Sequence, residues 1–165
     1  MTPYLLDTNF FIQAYRDGFP MDVVPSFWNK VEELAAAGKI ISIDKVRNEI
    51  FLVEDDLKLW CLNHLPDSFF EDSTSILDTY TQIISWAYSR LNDPYSQQAI
   101  DIFLDADEAD AWLIAYACAQ HLPLVTNEIS APQSKKSIKI PDACLPFGVR
   151  TLSSINLFRE LGERF

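Results

Sequence analysis

Glycine is scarce in this 165-residue sequence. The four glycines, at positions 18, 38, 148 and 162, are too far apart to form a P-loop or a dinucleotide-binding fingerprint. The sequence also has no Gly-x-Ser-x-Gly elbow. These absences exclude P-loop and dinucleotide-binding proteins and serine hydrolases of the elbow type.

Cysteine and histidine are also rare. Cys61, Cys118 and Cys144 are odd in number and show no Cys-x-x-Cys spacing, so we expect no disulfide framework and a reducing compartment. His64 and His121 are the only histidines, which leaves a zinc site with few candidate ligands.

Long apolar runs are absent as well. No run approaches the roughly 18 residues that span a bilayer, and the N-terminus lacks the pattern of a secretory signal. No repeat or low-complexity stretch divides the sequence. We therefore expect one domain over residues 1–165, without membrane contact and located in the cytoplasm.

Positive charge is in short supply, because 13 Lys and Arg face 24 Asp and Glu, for a net charge of -11. This balance disfavours unspecific attraction to nucleic acid, which depends on basic side chains. Two interpretations remain: the acids form a solvated surface, or several of them converge on a divalent cation. A basic partner protein is compatible with either.

Short apolar runs alternate with helical patterns along the chain. The runs at 4–7, 40–43 and 124–126 are typical of strands buried on both faces of a parallel sheet. Weaker strand signals lie at 138–140 and 148–151, and helices are predicted at 22–37, 73–91, 107–120 and 153–161, with one more after the second strand. The alternation predicts a three-layer α/β/α sandwich with a short, mostly parallel sheet, whose ligands bind beyond the carboxyl ends of the strands.

Two acids stand out in the first third of the chain. Asp7 follows the first predicted strand, where it is either an N-cap or part of a site. Glu49 lies on or beside the inward stripe of the next helix, which we predict to contain Val46, Ile50, Val53 and Leu57. A core-facing carboxylate needs a partner, which is either a cation or the Lys45 side chain four residues earlier.

Acids also precede the most apolar helix. Asp105, Asp107 and Glu108 are explained by the helix dipole alone, whereas Asp110 is already carried into the buried part of the helix. Glu128 follows the third predicted strand, in the sequence "LVTNE". If Asp7, Glu49, Asp110 and Glu128 converge, each pair costs on the order of 3 kcal/mol at about 5 Å and a dielectric constant near 20. Oxygen-only ligands favour magnesium or manganese, and such ions promote phosphodiester hydrolysis.

Several segments resemble a known family. "YLLDTNFFI", the glutamate after the second strand, "ADAWLIAYA" and "LVTNE" resemble the PIN-domain ribonucleases, many of which are toxins of toxin–antitoxin pairs. "FWNKVEELAAAGKIISIDKVRNEI" and "KSIKIPDAC" are similar to one little-characterised subgroup of PIN-like proteins, so the similarity spans nearly the whole chain.

The resemblance implies a function and a set of site residues. It implies an endoribonuclease with one or two Mg²⁺ or Mn²⁺ ions, a homodimer, and inhibition by an antitoxin protein if the protein is a toxin. Its metal-binding and catalytic residues match Asp7, Glu49, Asp110 and Glu128, with Thr8, Asn9, Thr126 and Asn127 in support. Glu128 is one methylene longer than the family's usual aspartate, and Asp107 is an alternative fourth ligand.

Two roles are possible for the basic residues as a group, and two for the tryptophans. The basic side chains either follow an RNA backbone near the metal or are ordinary solvated residues; they are Arg16, Lys45, Arg47, Lys135, Lys136 and Lys139. The tryptophans fit the core or a dimer interface better than base stacking; they are Trp28, Trp60, Trp86 and Trp112.

Two rival functions remain. A haloacid-dehalogenase-type phosphatase also has an aspartate after its first strand, but it needs a second aspartate where this sequence has Asn9. A PIN-like module that binds RNA or protein without cleaving it is the other. We predict the metal-dependent endoribonuclease.

Overall fold

A five-stranded, all-parallel sheet forms the centre of the molecule, as described by a computed structural model over residues 2–165. The strands lie in the order β3-β2-β1-β4-β5 and comprise β1 (Tyr4–Leu6), β2 (Ile40–Ile43), β3 (Phe70–Glu71), β4 (Leu124–Val125) and β5 (Thr151–Leu152). Helices flank the sheet, and the predicted α/β sandwich is confirmed.

The helices within residues 2–165 connect the strands as in other parallel sheets. They are α1 (Thr8–Gln13), α2 (Pro25–Ala36), α3 (Asp44–Phe51), α4 (Asp56–His64), α5 (Leu77–Ser89), α6 (Gln97–Phe103), α7 (Asp110–Gln120), α8 (Ile140–Cys144) and α9 (Ser154–Leu161). A π-helical turn at Ala14–Gly18 continues α1, and 3-10 turns lie at Thr74–Ile76 and Leu145–Phe147. None of the helices in this part of the chain has the length and apolar character that a bilayer crossing requires.

The core lies along both faces of the central strands. Leu5 pairs with Ile41 on one side and with Leu124 on the other, and Leu5 and Leu124 are fully buried. The three apolar runs of the sequence are strands for this reason. Trp28 and Trp60 are core residues, as predicted, with their rings 4.9 Å apart.

Several predicted elements are wrong. The strand signal at 138–140 fails because Ile140 begins α8. The helix after β2 stops at Phe51, so Val53 is 47% exposed and not on the inward stripe. A new helix, α4, starts there because the Asp55 carboxylate accepts the N–H of Lys58 at 3.0 Å and caps it. The helix predicted from 107 begins at Asp110.

Candidate functional site

Asp7 is fixed at the carboxyl edge of the two central strands. Its N–H donates to the carbonyl of Val125 at 3.0 Å, and its Oδ2 accepts the Thr126 hydroxyl at 2.9 Å. Asp7 is the backbone N-cap of α1, but its side chain makes no capping hydrogen bond. The N-cap alternative therefore does not account for this carboxylate, which is 1% exposed.

Burial dominates the electrostatics of Asp7. It raises the pKa of Asp7 from its ordinary value of 3.8 to about 6, against the opposing effect of the Thr126 hydrogen bond. The negative charge of Glu128 raises this pKa further. The backbone N–H groups of Thr8 and Asn9 lower it, although the Asp7 side chain makes no capping hydrogen bond with the first turn of α1. A carboxyl group with this pKa is half ionised near pH 6, and a cation bound beside it would favour its ionised form.

Glu49 reaches the same edge from α3. Its Oε1 accepts the N–H of Ala109 at 2.6 Å, and Ala109 is the N-cap of α7, so Glu49 fixes the residue at which α7 begins. Burial raises the pKa of Glu49 to about 7, and the charges of Glu108 and Asp7 add to the effect. The alternative pairing with Lys45 is wrong: that ammonium lies 4.7 Å from the centre of the Trp112 ring.

Asp110 is the first residue of α7 and completes the cluster. Within residues 2–165 its carboxylate has no hydrogen-bond partner, although only part of its surface is accessible. Burial raises the pKa of Asp110 well above its usual value, followed by the charges of Asp7, Glu128 and Glu49. The carboxyl groups from four separate segments thus interact electrostatically at one place.

Glu128 is held by the segment that follows β4. Its Oε2 accepts the N–H of Ile140 at 2.7 Å, at the start of α8, and its own N–H donates to the Thr126 hydroxyl at 3.1 Å. Glu128 and Asp110 line one hollow of about 150 Å³, together with Glu108 and the lysines Lys136 and Lys139.

The Thr8 hydroxyl is buried beside these acids without a partner. It is 4% exposed, and no donor or acceptor lies within hydrogen-bonding geometry in the described part of the chain. It still lowers the pKa of Glu49 slightly, so the two side chains face each other. A buried polar group without a partner is uncommon and marks a place where a ligand can supply one.

The donor set fits a hard divalent cation in the kind of ligand atoms that it offers. All four carboxylates offer oxygen, which is the ligand that magnesium and manganese prefer. Among residues 2–165, no three Asp, Glu, His or Cys side chains are arranged closely enough to hold an ion as they stand. Binding an ion therefore requires these side chains to move toward one another.

A family model covers this site and nearly all of the fold. It matches residues 4–165 and is described as a domain of unknown function, DUF4411. The chain belongs to the DUF4411 family. No curated protein and no solved structure matches it.

The remaining predicted site residues of this DUF4411 chain differ in their burial and in their hydrogen-bond partners. Asn9 is partly buried at the start of α1. Asn127 is used within the fold: its amide donates to the Ser154 hydroxyl at 2.8 Å and its Oδ1 accepts the Ser154 N–H at 2.9 Å. Asp107 is exposed on the loop before α7, with its N–H bonded to Asp105 at 2.9 Å, and it does not line the hollow that Glu128 and Asp110 share.

The sequence pattern places Glu108 in the first turn of a helix that starts at 107, and this placement is wrong. Because α7 begins at Asp110, Glu108 precedes the helix and faces the site, where its charge raises the pKa of both Glu49 and Asp110. The sequence carries no signal for this, because Ala109 is not a capping residue and does not mark where α7 begins.

The basic residues divide into three groups. Lys136 and Lys139 line the hollow of the DUF4411 site, where they face Asp110 and Glu128 across it. Lys45 is held over Trp112, whose other neighbour is the stacked ring of Tyr80 at 3.9 Å. The others are exposed and line no part of that hollow; they are Arg16, Arg47 and Lys135.

Proposed function

We propose that this protein is a metal-dependent endoribonuclease. Asp7, Glu49, Asp110 and Glu128 would hold one or two Mg²⁺ or Mn²⁺ ions at the carboxyl ends of β1 and β4. One observation carries the proposal: carboxylates from four separate segments interact at this edge, and the pKa values of Asp7, Glu49 and Asp110 are all raised.

A divalent cation is the species that such a cluster favours at neutral pH. Each ionised carboxylate in the cluster disfavours ionisation of the next, and burial adds to that cost. A cation reverses the effect, because it stabilises all the ionised forms together. Ligand pockets of parallel sheets also lie at this edge, which agrees with the placement of Asp7 and Thr126.

The chain's own residues would prepare the site for phosphodiester hydrolysis. When bound, the ions would polarise phosphate oxygens and lower the pKa of a coordinated water. Thr126 orients Asp7, and Glu49 fixes the start of α7, where Asp110 lies. Lys136 and Lys139 are placed to contact the phosphates of a bound strand from the wall of the same hollow.

RNA is the proposed substrate because the sequence motifs resemble the PIN-domain ribonucleases. The same resemblance supports a role as the toxin of a toxin–antitoxin pair, a homodimer, and a place in the cytoplasm. Because the net charge is -11, RNA binding must depend on the bound cation and on a few lysines.

A cleavage assay on single-stranded RNA tests the function. The purified protein with Mn²⁺ or Mg²⁺ is expected to cut the RNA internally, and an excess of EDTA should stop the reaction. Cleavage that persists in EDTA would contradict the metal mechanism. If RNA is bound but stays intact with either ion, the protein is a binding module and not a nuclease.

A further inference from the structure

A second hollow lies between α1 with its π-helical turn and the start of α9. Its volume is about 350 Å³, which falls within the range of small-ligand pockets. Its lining includes the polar side chains of Gln13 and Asp17 and the ring of Phe19, which is partly buried and stacks on the buried ring of Phe27. An apolar lining with a few polar groups is typical of small-molecule and cofactor sites.

This hollow shares two structural segments with the carboxylate site. Phe10 lies in the first turn of α1, three residues after Asp7 and two after Thr8. Asn127, on the opposite wall, stands between Thr126 and Glu128. The segments at 7–10 and 126–128 therefore contribute residues both to this hollow and to the carboxylate site.

A π-helical turn shapes the entrance. It spans Ala14–Gly18 and is closed by the hydrogen bond from the Phe19 N–H to the Ala14 carbonyl, 2.8 Å long. Such wide turns are rare, and they occur often at functional sites. This one places Asp17 at the rim, exposed to solvent.

The polar groups at the rim have no partner within the fold. Among residues 2–165, the side chains of Gln13 and Asp17 make no hydrogen bond, and Asp17 forms no ion pair. The Asn127 amide, by contrast, is committed to Ser154. Gln13 and Asp17 are the groups that a ligand would meet.

We propose that this hollow binds a guanine base of the RNA substrate, turned out of its strand. The inference rests on the proposed nuclease function and names the base that the site selects. RNA-binding proteins commonly hold such bases against aromatic side chains and contact their hydrogen-bonding edge. Guanine presents two adjacent N–H donors on that edge, and the Asp17 carboxylate can accept both.

Charge also favours a base as the occupant. Asp17 lies at the rim and no Lys or Arg lines the hollow within residues 2–165, so a phosphate group would be repelled. The phosphate belongs instead in the hollow of Asp110 and Glu128, which Lys136 and Lys139 line. A protein segment with a basic side chain is the rival occupant, and the experiment below distinguishes it.

Nucleotide binding in EDTA tests the pocket without any nuclease activity. Guanosine 5′-monophosphate should bind the whole protein, by calorimetry or NMR, about 5- to 150-fold more tightly than cytidine 5′-monophosphate. Asp17→Asn should remove that preference, whereas Asp22→Asn, at an exposed acid outside the hollow, should keep it. Ile155→Trp at the rim should block binding, and Val23→Trp, at a residue 69% exposed elsewhere, should not.

Mapping of RNA cleavage sites separates this inference from the nuclease proposal. Cuts at a fixed distance from guanine, with the preference lost in Asp17→Asn, would support the pocket. RNA cut without regard to base, with no guanosine monophosphate bound, overturns the pocket and leaves the nuclease standing. Guanine binding that needs Asp17, in a protein that cuts no RNA, supports the pocket and overturns the nuclease. A basic peptide that occupies the hollow where the nucleotide does not bind also overturns it.

Discussion

Asp110→Asn is expected to lower the rate of Mn²⁺-dependent RNA cleavage by roughly 10³-fold, because an ion held by this cluster provides several kcal/mol of charge stabilisation. The Asp110 carboxylate makes no hydrogen bond within residues 2–165 that the amide would disrupt, and the charges of four other acids raise its pKa. The change therefore removes a ligand charge without removing a structural contact.

Asp107→Asn is the matched control for this prediction. It makes the same chemical change three residues earlier, at an exposed side chain outside the hollow of Asp110. We expect its cleavage rate to equal that of the unchanged protein. Rates measured at saturating Mn²⁺, with circular dichroism to verify folding, decide the matter. Equal losses in both variants, or none in Asp110→Asn, would refute the assignment of Asp110 as a ligand.

The free energy of unfolding should fall as pH rises from about 4 to about 7 in the metal-free protein. The pKa of Asp7 is raised to about 6 and that of Glu49 to about 7, so the folded protein keeps protons that the unfolded chain has already released. The folded state is therefore favoured at low pH and loses that advantage as these groups ionise. For Asp7, raised from 3.8, the loss amounts to about 3 kcal/mol.

Divalent metal should reverse this trend at neutral pH. Mn²⁺ binds the ionised carboxylates of the folded state, so it should stabilise the protein strongly near pH 7.5 and only weakly near pH 5. Asp110→Asn should stabilise the metal-free protein at neutral pH, because it removes one of the repelling charges. Urea unfolding in EDTA and in Mn²⁺ at both pH values measures these effects. A free energy of unfolding in EDTA that is the same at both pH values would show that the pKa values of these carboxyl groups are not raised in the folded protein.

Much of the fold was predictable from sequence, because the central strands carry a strong signal. Residues 40–43 are buried on both faces and appear as an uninterrupted apolar run, so β2 was predicted over its full length. By contrast, β3 spans only Phe70–Glu71, too short for any periodic pattern. The "IKI" at 138–140 looked like a strand because Ile138 and Ile140 are both buried, although Ile140 is buried as the first residue of α8.

The candidate site was predictable as a list of acids but not as a set of contacts. Asp7 and Thr126 are 119 positions apart, and no local pattern connects them. The hydrogen bond from the Ala109 N–H to Glu49 was equally hidden, since it joins residues 60 positions apart and depends on where α7 begins. The predicted start at 107 also concealed Glu108, which faces the site only because the helix starts later.

Calorimetric titration of the metal-free protein with Mn²⁺ tests the central claim that these acids form one cation site. The account predicts saturable binding at neutral pH that Asp110→Asn weakens at least about 10-fold, since even residues outside the ligand set commonly contribute that much. Asp107→Asn should bind as the unchanged protein does. Absence of Mn²⁺ binding, or equal affinity in the Asp110→Asn variant, would contradict it.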